Sequence, residues 1–319
     1  MKSAEEEEFL IACSNGIIEE VVQYLTNPLI NPNCEDNSPW KKTPLLIACE
    51  NGQIELVKLL LNDERVDINK ADEYGQTPLL MSCEEGLVEI VEVLLMDERI
   101  DVNEPNNFGQ TPFYLACFYE QIEVIQLLLN DERVDVNQAD KNGITPFYIA
   151  CVREQIEIVK LLLCNEKVDV NQADKYGETP FYVTCLGEQM KIVELLLSDE
   201  RIDVNRADKE YNQTPFFVAC REGKIGVVKL LLNDKRVEVN KVNYVRVTPF
   251  FTACWRGQIE VVQNILASRR GINLSTKNAD LKTIIDVAKE SKVKERTKDD
   301  QESEEEFQLR EKFEILVNY

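Results

Sequence analysis

Apolar residues along this chain come in short blocks at helical spacing, divided by polar stretches rich in turn formers. The stretch 140–174, DKNGITPFYIACVREQIEIVKLLLCNEKVDVNQAD, shows the plan. Asn142 and Gly143 form a tight-turn signal, since both tolerate positive φ. Thr145 stands where a helix N-cap belongs. Pro146 takes the first helical position, where its missing N–H costs nothing. The pattern predicts one helix over about 146–153 and a second over about 155–163. In the second, Val159, Leu162 and Leu163 follow the i, i+3, i+4 spacing of one buried face. VDVNQAD then runs extended to the next turn.

The block returns. Thr-Pro begins at Thr43, Thr77, Thr111, Thr145, Thr179, Thr214 and Thr248, in steps of 34 residues with one of 35. A period of this size marks stacked supersecondary units that bury their faces on one another. Residues 31–280 hold these seven repeats. Residues 1–30 are expected to form an N-terminal capping repeat: EEEEFLIACSNGIIEEVVQYLT (5–26) keeps the second helix but has no Thr-Pro, and its acidic start suits a face turned to water. Residues 281–319 are expected to be a degenerate C-terminal capping repeat, with TIIDVAKES (283–291) as its first helix. Within it, 290–303 has little to bury and forms a charged loop. Residues 304–319 are amphipathic, with Leu309, Phe313, Leu316 and Val317 at helical spacing. They are expected to complete the cap, a docking helix for a separate partner being the other reading.

Ten cysteines and no histidine sharpen the question of chemistry. Eight cysteines are in phase with the repeat: Cys13, Cys49, Cys83, Cys117, Cys151, Cys185, Cys220 and Cys254. Stacked helices sit about 8–10 Å apart, whereas a disulfide needs Cα atoms within roughly 4.4–6.8 Å and a zinc site draws its sulfurs to about 2.3 Å from the metal. Neighbouring rungs therefore neither bridge nor share a metal, and the ladder is expected to be packing. Cys34 and Cys164 are out of phase, and Cys34 falls in an expected loop as a candidate for exposure. With no histidine base, Gly-rich phosphate loop or metal-binding carboxylate motif, no catalytic, cofactor or metal site is expected. The triplet Asp-Glu-Arg at 63–65, 97–99, 131–133 and 199–201 reads as a solvated charge ladder worth little per pair.

Lysine and arginine number 36 against 58 acidic residues, a formal charge of −22 in 319 residues. That charge opposes binding to nucleic acid or to anionic membranes. The N-terminus starts acidic and its apolar run is too short for a signal peptide. No segment reaches the roughly 20 apolar residues of a membrane span. The protein is expected in the cytoplasm, with the nucleus as the alternative, where its thiols stay reduced.

Turn, short helix, short helix and extended finger, together with TPFYIAC, NGQIELVKLLL (51–61) and VDVNQAD, resemble the ankyrin repeat over roughly residues 5–290. The resemblance implies an all-α solenoid of stacked helix-turn-helix units with extended finger loops, about eight to nine units including caps. It also implies a monomeric, non-enzymatic protein-binding scaffold or adaptor. The alternatives are a substrate-recognition subunit of a larger enzyme complex, such as a ubiquitin ligase, and a structural spacer. The period of 34 exceeds the family's usual 33. The family's histidine is replaced by Leu46, Leu80, Tyr114, Tyr148, Tyr182, Phe217 and Phe251, so its hydrogen bonds must be lost or remade, the tyrosine hydroxyls being candidates. The glycine that ends the first helix is kept at Gly52, Gly86, Gly223 and Gly257 but becomes Glu120, Glu154 and Glu188. Those glutamates imply either strained positive φ or a changed loop.

In the family, the two residues after the in-phase cysteine position line a concave binding face. Here that column is acidic at Glu50, Glu84 and Glu85, and aromatic or apolar at Phe118, Tyr119, Val152 and Leu186. It turns basic and aromatic at Arg153, Arg221, Trp255 and Arg256. These later residues are the candidate protein contacts, with Phe118, Tyr119, Val152 and Leu186 at the centre. The fingertip aromatics Trp40, Tyr74, Phe108, Tyr176, Tyr211 and Tyr244 are weaker candidates.

Overall fold

The computed structural model describes residues 3–273, 275 and 277, so the expected helix at 283–291, the charged loop 290–303 and the helix at 304–319 lie outside the described residues. All regular structure among the described residues is helical. The described residues divide into two compact units, the first running to 153 and taking in 165–168, the second made of 154–164 and the described residues from 169.

In the first unit, helix pairs follow one another: α1 (Ala4–Asn15) with α2 (Ile18–Thr26), α3 (Pro44–Glu50) with α4 (Ile54–Leu61), α5 (Pro78–Glu85) with α6 (Val88–Leu95), and α7 (Pro112–Phe118) with α8 (Ile122–Asn130). Helix α9 (Pro146–Val152) packs on α7, extending the row of first helices α1, α3, α5 and α7; the second helices α2, α4, α6 and α8 form a parallel row. The second unit repeats the plan. Its helices are α10 (Ile156–Leu163), α11 (Pro180–Gly187), α12 (Met190–Leu197), α13 (Pro215–Arg221), α14 (Ile225–Asn233), α15 (Pro249–Trp255) and α16 (Ile259–Ala267). There α11, α13 and α15 make one row and α10, α12, α14 and α16 the other.

The first helices start where the sequence says. At Thr145 the side-chain Oγ1 accepts from Tyr148 N–H at 3.0 Å, and the same i→i+3 bond recurs at Thr43, Thr77, Thr111, Thr179, Thr214 and Thr248. The capping position without Thr-Pro uses Ser3 instead, whose hydroxyl accepts from Glu6 N–H while the Glu6 carboxylate accepts from Ser3 N–H. At least one phenylalanine in each repeat from Phe113 through Phe250 is at most 2% exposed. Burying a side chain of that size stabilises by about 1.5–3 kcal/mol.

Each first helix ends on a residue in the left-handed region. Gly52, Gly86, Gly223 and Gly257 have φ of 66, 72, 72 and 66°. Glu120, Glu154 and Glu188 have φ of 62, 57 and 62°. The three glutamates therefore keep the glycine geometry and bear its cost; the loop has not changed shape.

Two hydrogen-bond ladders tie successive repeats inside each unit. The asparagine that closes each finger run (Ile-Asp-Val-Asn at 100–103) bonds forward to the backbone one repeat on: Asn103 Nδ2 donates to Arg133 O at 2.8 Å and its Oδ1 accepts from Asp135 N–H at 2.8 Å. Asn69 does the same with Arg99 and Asp101, and in the second unit Asn171 does so with Arg201 and Asp203. The arginine of Asp-Glu-Arg bonds backward. Arg133 Nη2 donates to Leu95 O at 2.8 Å, at the end of α6, while Asp131 grips its other side through Nε and Nη2. Arg65, Arg99, Arg201 and Arg236 repeat the bond to Leu25, Leu61, Leu163 and Leu197. The charge ladder is thus a structural clamp that satisfies helix-end carbonyls, a role beyond that of solvated surface pairs. The inserted residue behind the 34-residue period lies in this loop.

Candidate functional site

The in-phase cysteines are free and buried. Burial pushes the thiols of Cys13, Cys49 and Cys254 up to about 12, and raises those of Cys83, Cys117, Cys151, Cys185 and Cys220 further. A thiol so hard to ionise is a poor nucleophile or metal ligand. Cys34, a candidate for exposure, is only 5% exposed in the loop between α2 and α3. Its flanking residues fold inward, with Ile30 and Pro32 also buried. Cys164 is the exposed one. Among the described residues, no cluster of three or more histidine, cysteine or acidic side chains could hold a metal, and no helix is long and apolar enough to cross a membrane.

The column after each cysteine ends the first helices on the side of the fingers. In the first unit Tyr119 and Val152 are 46 and 39% exposed, and Arg153 is exposed. Phe118 behaves differently from its neighbours. It is half-buried against Leu80, Tyr114 and Leu115, stacked on Tyr114 at 6.3 Å with rings 16° apart, edge-on to Tyr119 at 5.0 Å, and covered by the Arg153 guanidinium at 4.3 Å. Its role is therefore partly internal. In the second unit Leu186 and Arg221 are half-buried, while Trp255 is 57% exposed and Arg256 exposed. The Arg221 side chain bonds to Gln213 and to Glu222 of its own repeat.

The fingertip aromatics project into solvent. Exposure is 45% at Trp40, 51% at Tyr74, 62% at Phe108, 53% at Tyr176 and Tyr211, and 65% at Tyr244. Each tip is built by an aspartate or asparagine whose side chain closes the turn: Asp72 Oδ1 accepts from Tyr74 N–H at 2.8 Å and from Gln76 N–H at 2.9 Å. Neighbouring tips are held in register through their backbones, Glu73 N–H donating to Trp40 O and Asn107 N–H to Tyr74 O. The tyrosine standing for the family histidine reaches such a turn. Tyr182 Oη donates to Asp208 Oδ2 at 3.3 Å, and burial, then the carboxylate, raises its pKa.

Tips and helix ends come together in the first unit around two grooves. One, of about 340 Å³, is lined by Trp40, Tyr74, Phe108, Met81, Glu84 and Tyr119, among others. The next, of about 440 Å³, shares Trp40 and Lys42 and adds Ile11, Ile47 and Glu50. The sequence put tips and helix ends in separate columns, and only the fold brings Trp40, Tyr74 and Phe108 against Tyr119. Sequence reasoning also left out Met81, Ile11 and Lys42. Their signal lay in register, since each falls on a first helix or just before one.

Comparison with known proteins agrees with this architecture. The family model for ankyrin repeats (3 copies) matches residues 9–106, 98–174, 166–243 and 207–278. Among solved structures the chain is similar to the ankyrin repeat domain of Bcl-3, described as a unique member of the IkappaB protein family. That match has a TM-score of 0.62 and 25% identity, over 67% of this chain and 95% of that one. No curated protein matches the sequence. Ankyrin repeats are in general protein–protein interaction modules, and this chain belongs to the ankyrin-repeat family.

Proposed function

We propose that the chain is a non-enzymatic scaffold or adaptor that binds proteins through the face formed by its fingertips and first-helix ends. The observation that carries this is a set of exposed side chains at those ends in each unit. In the first unit these are Tyr119 and Val152; in the second, Trp255 and Arg256. Exposed aromatic and arginine side chains supply much of the binding energy of protein interfaces. In the first unit Phe118 and Arg153 join them, with the tips Tyr74 and Phe108; in the second unit Leu186 and Arg221 do, with the tips Tyr176, Tyr211 and Tyr244.

The test is a paired pull-down from extract of the source cell, with the wild-type chain and a Tyr119→Glu, Val152→Glu variant as baits. Both positions are exposed, so the variant should keep a native circular-dichroism melt. A set of proteins lost only from the variant is the expected result. An unchanged set, or a variant that unfolds, removes these residues from the contact.

A further inference from the structure

The first two repeats differ at one register position, and the difference leaves a carboxylate without a cation of its own. In the first repeat Lys42 sits over the ring of fingertip Trp40, 5.4 Å from its centroid, and bonds Glu50 Oε1 at 2.5 Å. The aromatic tip and the helix-end carboxylate thus hold an ammonium group between them. One repeat on, the tip is Tyr74 and the carboxylate Glu84, but the lysine position is Gln76. Gln76 Nε2 donates to Glu84 Oε2 at 2.7 Å, and the Tyr119 hydroxyl also bonds Glu84. Both donors are neutral, so Glu84 is oriented while its charge stays uncompensated. It lines the same groove as the exposed rings of Tyr74, Phe108 and Tyr119. Across this groove and the adjoining one, five carboxylates (Glu7, Asp36, Glu50, Asp72 and Glu84) face one cation, Lys42, which Glu50 already holds.

Resting on the protein-binding reading above, we infer that this groove takes an extended segment of a partner protein, and that a lysine or arginine of the segment sits against Glu84 and the Tyr74 ring. That side chain takes the place Lys42 fills one repeat earlier. Aromatic faces attract cations by their quadrupole. A carboxylate already held by neutral donors needs no reorganisation to accept one. Apolar side chains of the segment cover Met81 and the exposed rings of Phe108 and Tyr119 that line the groove. The tips from Trp40 to Phe108 span two repeat steps of about 10 Å each, the length of about six extended residues at ~3.3 Å.

A random linear peptide library displayed on phage, selected on the full chain, tests this. Recovered peptides should carry lysine or arginine next to apolar residues. Binding of a recovered peptide, followed by fluorescence anisotropy, should weaken as salt rises. It should weaken about tenfold in Glu84→Gln, and also in Gln76→Lys, which installs the chain's own cation in a geometry the first repeat already tolerates. A Glu98→Gln, Glu132→Gln variant removes more charge elsewhere on the same unit and should change nothing; equal loss there would mean attraction to net charge alone and overturn the inference. Peptides without excess cations, peptides indifferent to Gln76→Lys, or an empty selection would overturn it as well. If neutral peptides are recovered and lose binding in the Tyr119→Glu, Val152→Glu variant, the protein-binding reading stands while the cation inference fails.

Discussion

Glu188 holds φ at 62° and ψ at 33°, a conformation in which the Cβ of any L-residue crowds its own backbone. Its carboxylate lies 3.7 Å from the Lys224 ammonium, a long contact between partly exposed side chains, so the pair returns little. Replacing Glu188 by glycine should therefore stabilise the protein by about 1 kcal/mol. Glu188→Ala, which keeps the Cβ, should not. Urea midpoints of the two variants decide the matter: equal midpoints would mean that the carboxylate, and not the backbone, sets the energy here. The sequence disclosed the column in which this residue stands, because glycine occupies it in four other repeats. It did not disclose the dihedral, since a strained glutamate and a reshaped loop would be spelled alike. At Phe118 and Tyr119 it failed in another way. The two are chain neighbours of similar chemistry, and only the turn of the helix makes one half-buried and the other exposed.

Helices of seven to nine residues, such as α7 and α8, are too short to persist alone in water. Their ends need partners, and most of the partner residues were legible. Threonine-proline announces the first helix, and the i, i+3, i+4 apolar spacing announces the second. The arginine clamp was not legible, because its acceptors are backbone carbonyls, which have no letter in a sequence. Arg133 Nη2 donates to Leu95 O and to Asp131 Oδ2 together, while Nε also bonds Asp131. Lysine carries the same charge on one nitrogen and lacks the planar fork, so even where it reaches the carbonyl it gives up the paired Nε and Nη2 grip on Asp131. Arg133→Lys is expected to cost about 1 kcal/mol, the net worth of a lost hydrogen bond at a half-solvated site. A thermal or urea midpoint unmoved by the substitution would return the triplet to the status of surface decoration. The chain carries a natural instance of the exchange at Asn165-Glu166-Lys167, where the triplet is neither aspartate-led nor arginine-ended.

Over the whole molecule the cysteine ladder turns a packing choice into a pH dependence. Eight thiols at equivalent positions are buried, and burial raises each folded-state pKa, to about 12 at Cys13, Cys49 and Cys254 and higher elsewhere. In the unfolded chain a cysteine titrates near 8.5. A pKa raised on folding gives stability that is fully present below the unfolded value and lost as pH climbs toward the folded one. Each thiol should thus cost about 2 kcal/mol by pH 10, since one pH unit above 8.5 is worth about 1.4 kcal/mol per group. Eight such terms together exceed the roughly 5–15 kcal/mol that holds a typical domain folded. The fold is therefore expected to fail on the alkaline side, near pH 10, under reducing conditions and without denaturant. Buried tyrosines such as Tyr114, raised to about 12 chiefly by burial, add to the trend only where the unfolded phenol titrates, near pH 10. Replacing Cys83, Cys117, Cys151 and Cys185 by alanine isolates the thiol contribution. The variant should lose stability about half as steeply between pH 8.5 and 10, whatever its stability at pH 7. Identical slopes for the variant and the wild type would show that the thiols ionise without unfolding the repeats, and that the ladder is more open to solvent than its packing indicates.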